Sequence, residues 1–449
     1  MARMQTGKEV ACNEEATIDE RIATHFELIR GFLQEFGRRA ESLVEYHPLG
    51  IDGPAIRRHI AGIEVELGRL QALGDRAFAG LPPGVLGPEV LAAWNSKKNL
   101  RYATGSIMMT ERFRPDMSPD NRTRAFSTKL LYECVLDALD DCIDAESYSF
   151  EDALDLIRHC VSALTTQTFD ATGFREELRP RLAPEQRHMA DYLTALVAGT
   201  NHAIANAPHG REMRGELDRF HEKWILGQAF TMYQKDPTVD IRAFLAACER
   251  FPAPDEDVTG IERISGWISH TAAITLIDLC FTDHLLPPSR MEEHRTAWFY
   301  FDALVTLLNN VVDPSRDLDD GIANLFIIAR AGGQLSGIRR VRGIRPSLTM
   351  SDYEAFLERA AEFAGRLLMH ATASGDDPEA YYPFIAVMAP LVMLTDERGT
   401  KEDLLHAYLR AFSRVVRWSP ERRLELTIPR RTRSGRTRSA RTASSSPSP

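Results

Sequence analysis

Much that would mark a familiar class is missing from this chain of 449 residues. Its six cysteines, Cys12, Cys134, Cys142, Cys160, Cys248 and Cys280, include no close-spaced pair of the zinc or redox type, and several fall inside apolar helical runs. That argues against a disulfide framework and fits the reduced thiols of a cytoplasmic protein. The segment from Met1 to Glu9 lacks the apolar core of a signal peptide. No uninterrupted apolar stretch is long enough to span a membrane. Alternating strands with tight hairpin turns are absent, as are internal repeats. There is no His-Glu-x-x-His zinc motif, and Glu185-Gln186-Arg187-His188 has no mate with which to build a di-iron site.

What is present is helical periodicity, recurring from Arg21 to about Trp418 and punctuated at Pro48-Leu49-Gly50, Leu81-Pro82-Pro83-Gly84, Arg114 to Pro119, Phe251 to Pro254 and Leu286-Pro287-Pro288. The expected fold class is all-α, a single large bundle over residues 21–428, preceded by a flexible segment at 1–20. Residues 429–449 carry Arg430, Arg431, Arg433, Arg436, Arg438 and Arg441 among Ser, Thr and Gly with no acid, the composition of a disordered tail. The whole chain has a net charge of −10, which leaves −16 for everything before that tail. An acidic body of this kind argues against a dedicated nucleic-acid protein.

The most informative segment is Leu136 to Asp144. Asp137, Asp140, Asp141 and Asp144 stand at i, i+3, i+4 and i+7, one stripe on a helix. If that stripe is sheltered, neighbouring carboxylates repel by roughly 3 kcal/mol per pair at an effective dielectric of ~20 and ~5.5 Å. The rest of the expected helix, Arg124 to Glu146, indicates shelter. Leu131, Tyr132, Val135, Leu136, Ala138, Leu139, Cys142 and Ile143 fill the opposite arc, and Phe126, Leu130 and Cys134 precede the aspartates on their own side, with Glu133 the polar exception. Such an acidic end calls for counterions, and magnesium is commonly shared between carboxylates and substrate phosphates.

A second run, Trp298 to Asp313, is apolar at helical spacing and also ends in ligand types: Asn309, Asp313 and Asp317 at i, i+4 and i+8, with Trp298, Asp302 and Thr306 on nearly the same face. Pro314 is expected to break or restart the helix, with Asp313 as its cap.

Together these blocks resemble the large terpene synthases typified by tetraprenyl-beta-curcumene synthase. Asp137, Asp140 and Asp144 stand where that family carries D-x-x-D-x-x-x-D. Trp94 to Ser106 resembles its basic, Gly-containing lead-in, and Gly260 to Trp267 occupies the corresponding interval. Trp298 to Phe326, with Leu307, Leu308, Asp313, Asp317, Gly321 and Asn324, is similar to its second block. The likeness covers roughly residues 90 to 335, with two departures: Asn309 stands where the family usually has Asp, and Pro314 interrupts the block.

The resemblance implies a bundle of the class I isoprenoid synthase type with a central apolar cavity. It further implies ionisation of a long linear prenyl diphosphate and closure of the resulting cation to a cyclic or linear terpene. Magnesium would be held by Asp137, Asp140, Asp141, Asp144, Asn309, Asp313 and Asp317, with Asp140, Asp141 and Asp144 essential to catalysis. Lys97, Lys98 and Arg101 would clamp the diphosphate, and Trp94, Tyr102, Phe126, Trp267, Trp298 and Phe299 are candidates to face the cation. A greasy substrate would have to come from a partner synthase or by peripheral contact with a membrane. The rival expectations are a non-catalytic scaffold of the same fold and head-to-head prenyl coupling of the squalene or phytoene synthase type.

Overall fold

The computed structural model describes residues 17–47, 49–78, 97–110, 116–143, 148–232, 240–312, 314, 317, 324–331, 347–376, 382–396, 399–419 and 423–426. Over these the chain is all-α apart from two short hairpins. The first half contains α1 (Ile18–Tyr46), α2 (Gly53–Leu73), α3 (Lys97–Met109), α4 (Pro119–Ile143), α5 (Phe150–Ala163), α6 (Ala171–Leu178), α7 (Met189–Ala205) and α8 (Gly210–Met232). Then follow α9 (Ile241–Cys248), α10 (Ile261–Ser265), α11 (Thr271–Cys280), α12 (Pro288–Asn310), α13 (Leu325–Ala331), α14 (Met350–Ala373), α15 (Ala389–Met393) and α16 (Glu402–Val415).

Local chemistry sets the helix starts. Thr17 accepts from the Glu20 amide while Glu20 reaches back to the Thr17 amide at 2.7 Å, a reciprocal cap that opens α1. Asp52, Ser149 and Asp170 cap α2, α5 and α6 through their side-chain oxygens. Proline stands at the start of α4 and α12, where its missing amide hydrogen costs nothing. The breaks expected at Pro48 to Gly50, at Phe251 to Pro254 and before Pro288 all fall between helices.

One hydrophobic core extends from Ile22 to Val416 and includes the inner faces of α1, α2, α4, α7, α12, α14 and α16. A smaller cluster joins α9 and α10 to Leu325, Ile327 and Ile328 of α13. The sequence pattern overran at one place: helical periodicity continues to Trp418, but α16 stops at Val415, and Val416–Ser419 pairs antiparallel with Arg423–Leu426. The β-branched Val416 and the alternation of Leu424 and Leu426 with charged neighbours suit a two-stranded ribbon better than another helical turn.

No helix among the described residues is long and apolar enough to cross a membrane. Cys134, Cys142, Cys160, Cys248 and Cys280 are buried and form no disulfide among the described residues. Glu185 and His188 are exposed, and the His188 ring is 2.9 Å from the Glu185 carbonyl oxygen.

Candidate functional site

Helix α4 is buried nearly all round. Phe126, Tyr132 and Val135 are fully enclosed, and the aspartate side is closed by Leu130 and Cys134 as well. Its first turns are open to water at Pro119, Asp120 and Arg124, and after the enclosed stretch from Ala125 to Leu136 it comes out again at its C-terminus, with Asp137 and Asp140 half-buried and Asp141 exposed; Asp144 lies outside the described residues. One face of α4 therefore changes character along its length, and that face is Lys129, Glu133, Asp137 and Asp140, spaced one turn apart.

The inner two of these residues are paired. Lys129 is completely buried and lies 3.0 Å from Asp278 of α11, which is buried as deeply. Lys129 also donates to the Ser106 carbonyl at 2.7 Å and to the hydroxyl of Thr110, which in turn donates to Asp278 at 3.0 Å. One turn on, Glu133 accepts from His270 Nε2 at 2.7 Å and from the Ser106 hydroxyl. Burial works against an ionised Glu133, yet His270 and Ser106 hold its carboxyl below the usual range. The adjoining Tyr132 hydroxyl is 3.1 Å from His221 Nε2, and burial pushes that imidazole down to about 3, so His221 is neutral.

Helix α12 supplies the facing carboxylate. Asp302 is fully buried and accepts from the Thr271 hydroxyl and from the Ala272 amide at 3.1 Å, so it caps the start of α11. Burial pushes its carboxyl up to about 8, against the pull of those hydrogen bonds and of His270 nearby. Helix α11 packs against both α4 and α12, and His270, immediately before it, feels both. Burial alone would lower the imidazole pKa, but Glu133, then Asp302 and Asp140, outweigh it and raise the value.

The far end of α12 behaves as proline at 314 demands. The helix stops at Asn310, and Asp313 lies outside the described residues. Asn309 is exposed. Asn324 is buried and ties the next segment down, donating to the Asn310 carbonyl and to Asp317, both at 2.6 Å, while Asn310 accepts from the Leu325 amide at 2.5 Å. Asp317 is thus fixed against the end of α12.

Of the expected site residues, then, Asp137, Asp140 and Asp141 share one helix end, and Asn309 and Asp317 share another. Their hard oxygen donors suit magnesium in type, although among the described residues no three His, Cys, Asp or Glu side chains converge in a set that could hold a metal. Lys97, Lys98 and Arg101 stand in the first turns of α3, and their side chains, like that of Tyr102, lie outside the described part, as does Trp94. Phe126, Trp298 and Phe299 are core residues. Trp267 is half-buried, meets Phe299 edge-on at 5.5 Å and already has Lys223 over its ring at 4.5 Å.

Sequence reasoning missed Lys129, His270, Asp278 and the depth of Asp302. Two signals were there. A lysine one turn before Glu133 on an otherwise apolar helix requires a buried anion, and His270 follows directly on the Gly260 to Trp267 block. An open cleft of about 450 Å³ between α5 and α6, lined by Arg158, His159, Phe169, Phe174 and Arg181 among others, shares no residue with this seam.

Comparison of the chain with models of known families, with curated proteins and with solved structures finds no match.

Proposed function

We propose that the protein is a magnesium-dependent class I terpene synthase, acting on a linear prenyl diphosphate to give a cyclic or linear terpene. The observation that carries this reading is a helix enclosed from Ala125 to Leu136, mostly by apolar side chains, that comes out to water again at its C-terminal end, where Asp137, Asp140 and Asp141 cluster. A second helix end, with Asn309 and Asp317, lies on α12, which like α4 packs against α11, and supports it. Asp137, Asp140, Asp141 and Asp144 would hold the metal, together with Asn309, Asp313 and Asp317. When bound, magnesium neutralises and orients the departing diphosphate. The chain itself would place Lys97, Lys98 and Arg101 against the remaining oxygens and surround the hydrocarbon with apolar walls that keep water from quenching the cation.

Incubation of the full chain with magnesium and linear prenyl diphosphates of increasing length, followed by analysis of extractable products, tests the reading. Terpene formation is expected for at least one length, and Asp140→Ala and Asp141→Ala should abolish it while leaving the fold intact. Absence of product at every length, or full activity in both variants, counts against it.

One observation favours a second reading, a non-catalytic scaffold of the same fold. Directly beneath the aspartates the interior is occupied by the Glu133 and Lys129 pairs rather than left open. Indifference of the melting temperature to magnesium and diphosphate together would support the scaffold, and a magnesium-dependent rise the enzyme.

A further inference from the structure

His270 is held from three sides. Its Nε2 is fixed by Glu133 of α4. The segment leading to it lies so close to α8 that a Cβ on Gly227 would come within 2.0 Å of the Trp267 carbonyl oxygen, and the Ile268 carbonyl accepts from Trp224 at 3.0 Å and Gln228 at 2.7 Å. On the third side Gly266 lies against the Phe299 ring of α12, where a Cβ would approach to 2.2 Å. The backbone leading to His270 is thus packed between α8 and α12, while Glu133 holds its ring.

The opposite nitrogen, Nδ1, makes no hydrogen bond among the described residues, and 24% of the side chain remains open to solvent. Every other polar side chain described for the seam, Lys129, Tyr132, Glu133, His221, Asp278 and Asp302, is more deeply enclosed. A carboxylate on one ring nitrogen fixes the tautomer and directs the other N–H outward. The groups around His270 are Tyr132, Glu133 and Asp140 on α4, Asp302 on α12, and His221 and Lys223 on α8, with Lys129 and Asp278 one layer deeper. Of these, Glu133, Asp140 and Asp302 favour its charged form, Lys223 sits over Trp267 and Lys129 is neutralised by Asp278.

We propose that His270, oriented by Glu133, donates its Nδ1 hydrogen to the diphosphate of the substrate between the two acidic helix ends. The assignment rests on the reading of this protein as a prenyl diphosphate enzyme and adds to it a cation that the acidic motifs do not contain. The imidazolium supplies a charged hydrogen bond to the leaving group as the carbon–oxygen bond breaks and its electron pair departs with the diphosphate.

The test is a calorimetric titration of the full chain with inorganic pyrophosphate in magnesium, from about pH 6 to about pH 9. His270→Gln keeps an amide where Nε2 meets Glu133 and removes the Nδ1 donor. It should weaken pyrophosphate binding about tenfold or more near pH 6.5, with the gap to wild type closing as pH rises and the wild-type imidazolium loses its proton. His270→Asn, whose amide reproduces Nδ1, should recover part of the loss. Glu133→Gln keeps the bond but removes the charge, and should move the pH midpoint of wild-type binding downward. Equal affinity of wild type and His270→Gln across the range overturns the assignment while leaving the enzyme reading standing. A midpoint unmoved in Glu133→Gln overturns it as well. If wild type binds no pyrophosphate and makes no terpene, the assignment and the reading beneath it fall together.

Discussion

Two of the charge networks among the described residues are made from different chemistry. One lies where α14 grips the loop before α10. Arg366 binds Asp257 through both terminal nitrogens and reaches Asp255 at 2.7 Å and the Tyr300 hydroxyl at 3.1 Å, while Arg359 holds Glu262 by a fork of two 2.8 Å bonds. The other is the seam of Lys129, Glu133, His270, Asp278 and Asp302. Arginine cannot lose its proton in a protein, and its planar fork matches a carboxylate. The first network is therefore fixed in charge over the whole working range of pH, as a clasp should be. The seam instead includes an imidazole and a carboxyl, His270 and Asp302, whose values burial and neighbouring groups move well away from the ordinary ones. The two networks should therefore answer differently to pH, the seam strongly and the clasp weakly.

The sharpest way to break the contrast is to remove one partner of the deepest pair. Lys129 and Asp278 are both fully buried, so Asp278→Ala leaves an ammonium in the core and should cost about 3 to 5 kcal/mol in denaturant titration. The double variant Lys129→Met, Asp278→Leu should recover most of that loss, since a buried pair is often replaceable by apolar residues of similar volume. If the double variant is no more stable than the single, the pair is doing more than neutralising itself.

Next in size is pH. Asp302 has its folded value raised to about 8 from the ordinary carboxylate value of 3.8, so its contribution is complete below that ordinary value and is lost as pH rises towards 8. His270 is also raised, so its contribution is present below 6.5 and declines above it. Glu133, lowered, acts in the opposite sense and contributes until pH falls through its folded value, below 4.5. Stability should accordingly fall by on the order of 3 kcal/mol between pH 5 and pH 8. Asp302→Asn, which keeps an acceptor for Thr271 and Ala272, should flatten that slope, and a slope unchanged in this variant would show that Asp302 is ionised in the fold.

The clasp predicts a smaller and different response. Arg366→Ala should cost about 1 to 2 kcal/mol, discounted because Asp255 and Asp257 are each more than a third exposed, and the loss should be the same at pH 5 and pH 8. A pH-dependent loss would erase the distinction between the two networks.

How much of this was legible follows from what kind of information a helix carries. The burial of α4 was readable because apolar residues cover most of the 3.6 period, and the break after α12 because proline 314 forbids continuation. Even so, α4 begins at Pro119, five residues before the expected Arg124, since Asn121, Arg124 and their neighbours form a polar first turn with no apolar mark. The pairing of Lys129 with Asp278, separated by 149 residues, was not readable. Periodicity says which face is buried but not which helix covers it, nor at what register. Glu133 showed as a polar exception without showing its partner for the same reason, and the fate of Asp144 and Asp313 lies outside the described residues.

The smallest effect concerns the acidic end itself. A sheltered stripe would set each neighbouring pair of carboxylates against one another by roughly 3 kcal/mol, but Asp141 is exposed and Asp137 and Asp140 are only half-buried, so water screens most of that repulsion. Asp141→Asn should therefore raise stability by only about 0.2 to 0.5 kcal/mol, the range measured for like charges one helical turn apart, and the gain should shrink further in salt. Saturating magnesium should reverse the order, because a bound cation stabilises the wild-type carboxylates more than the amide. A variant that is slightly more stable without magnesium and less stable with it would tie the cost of this cluster to ion binding, whereas an identical difference in both conditions would make the aspartates an ordinary solvated helix end.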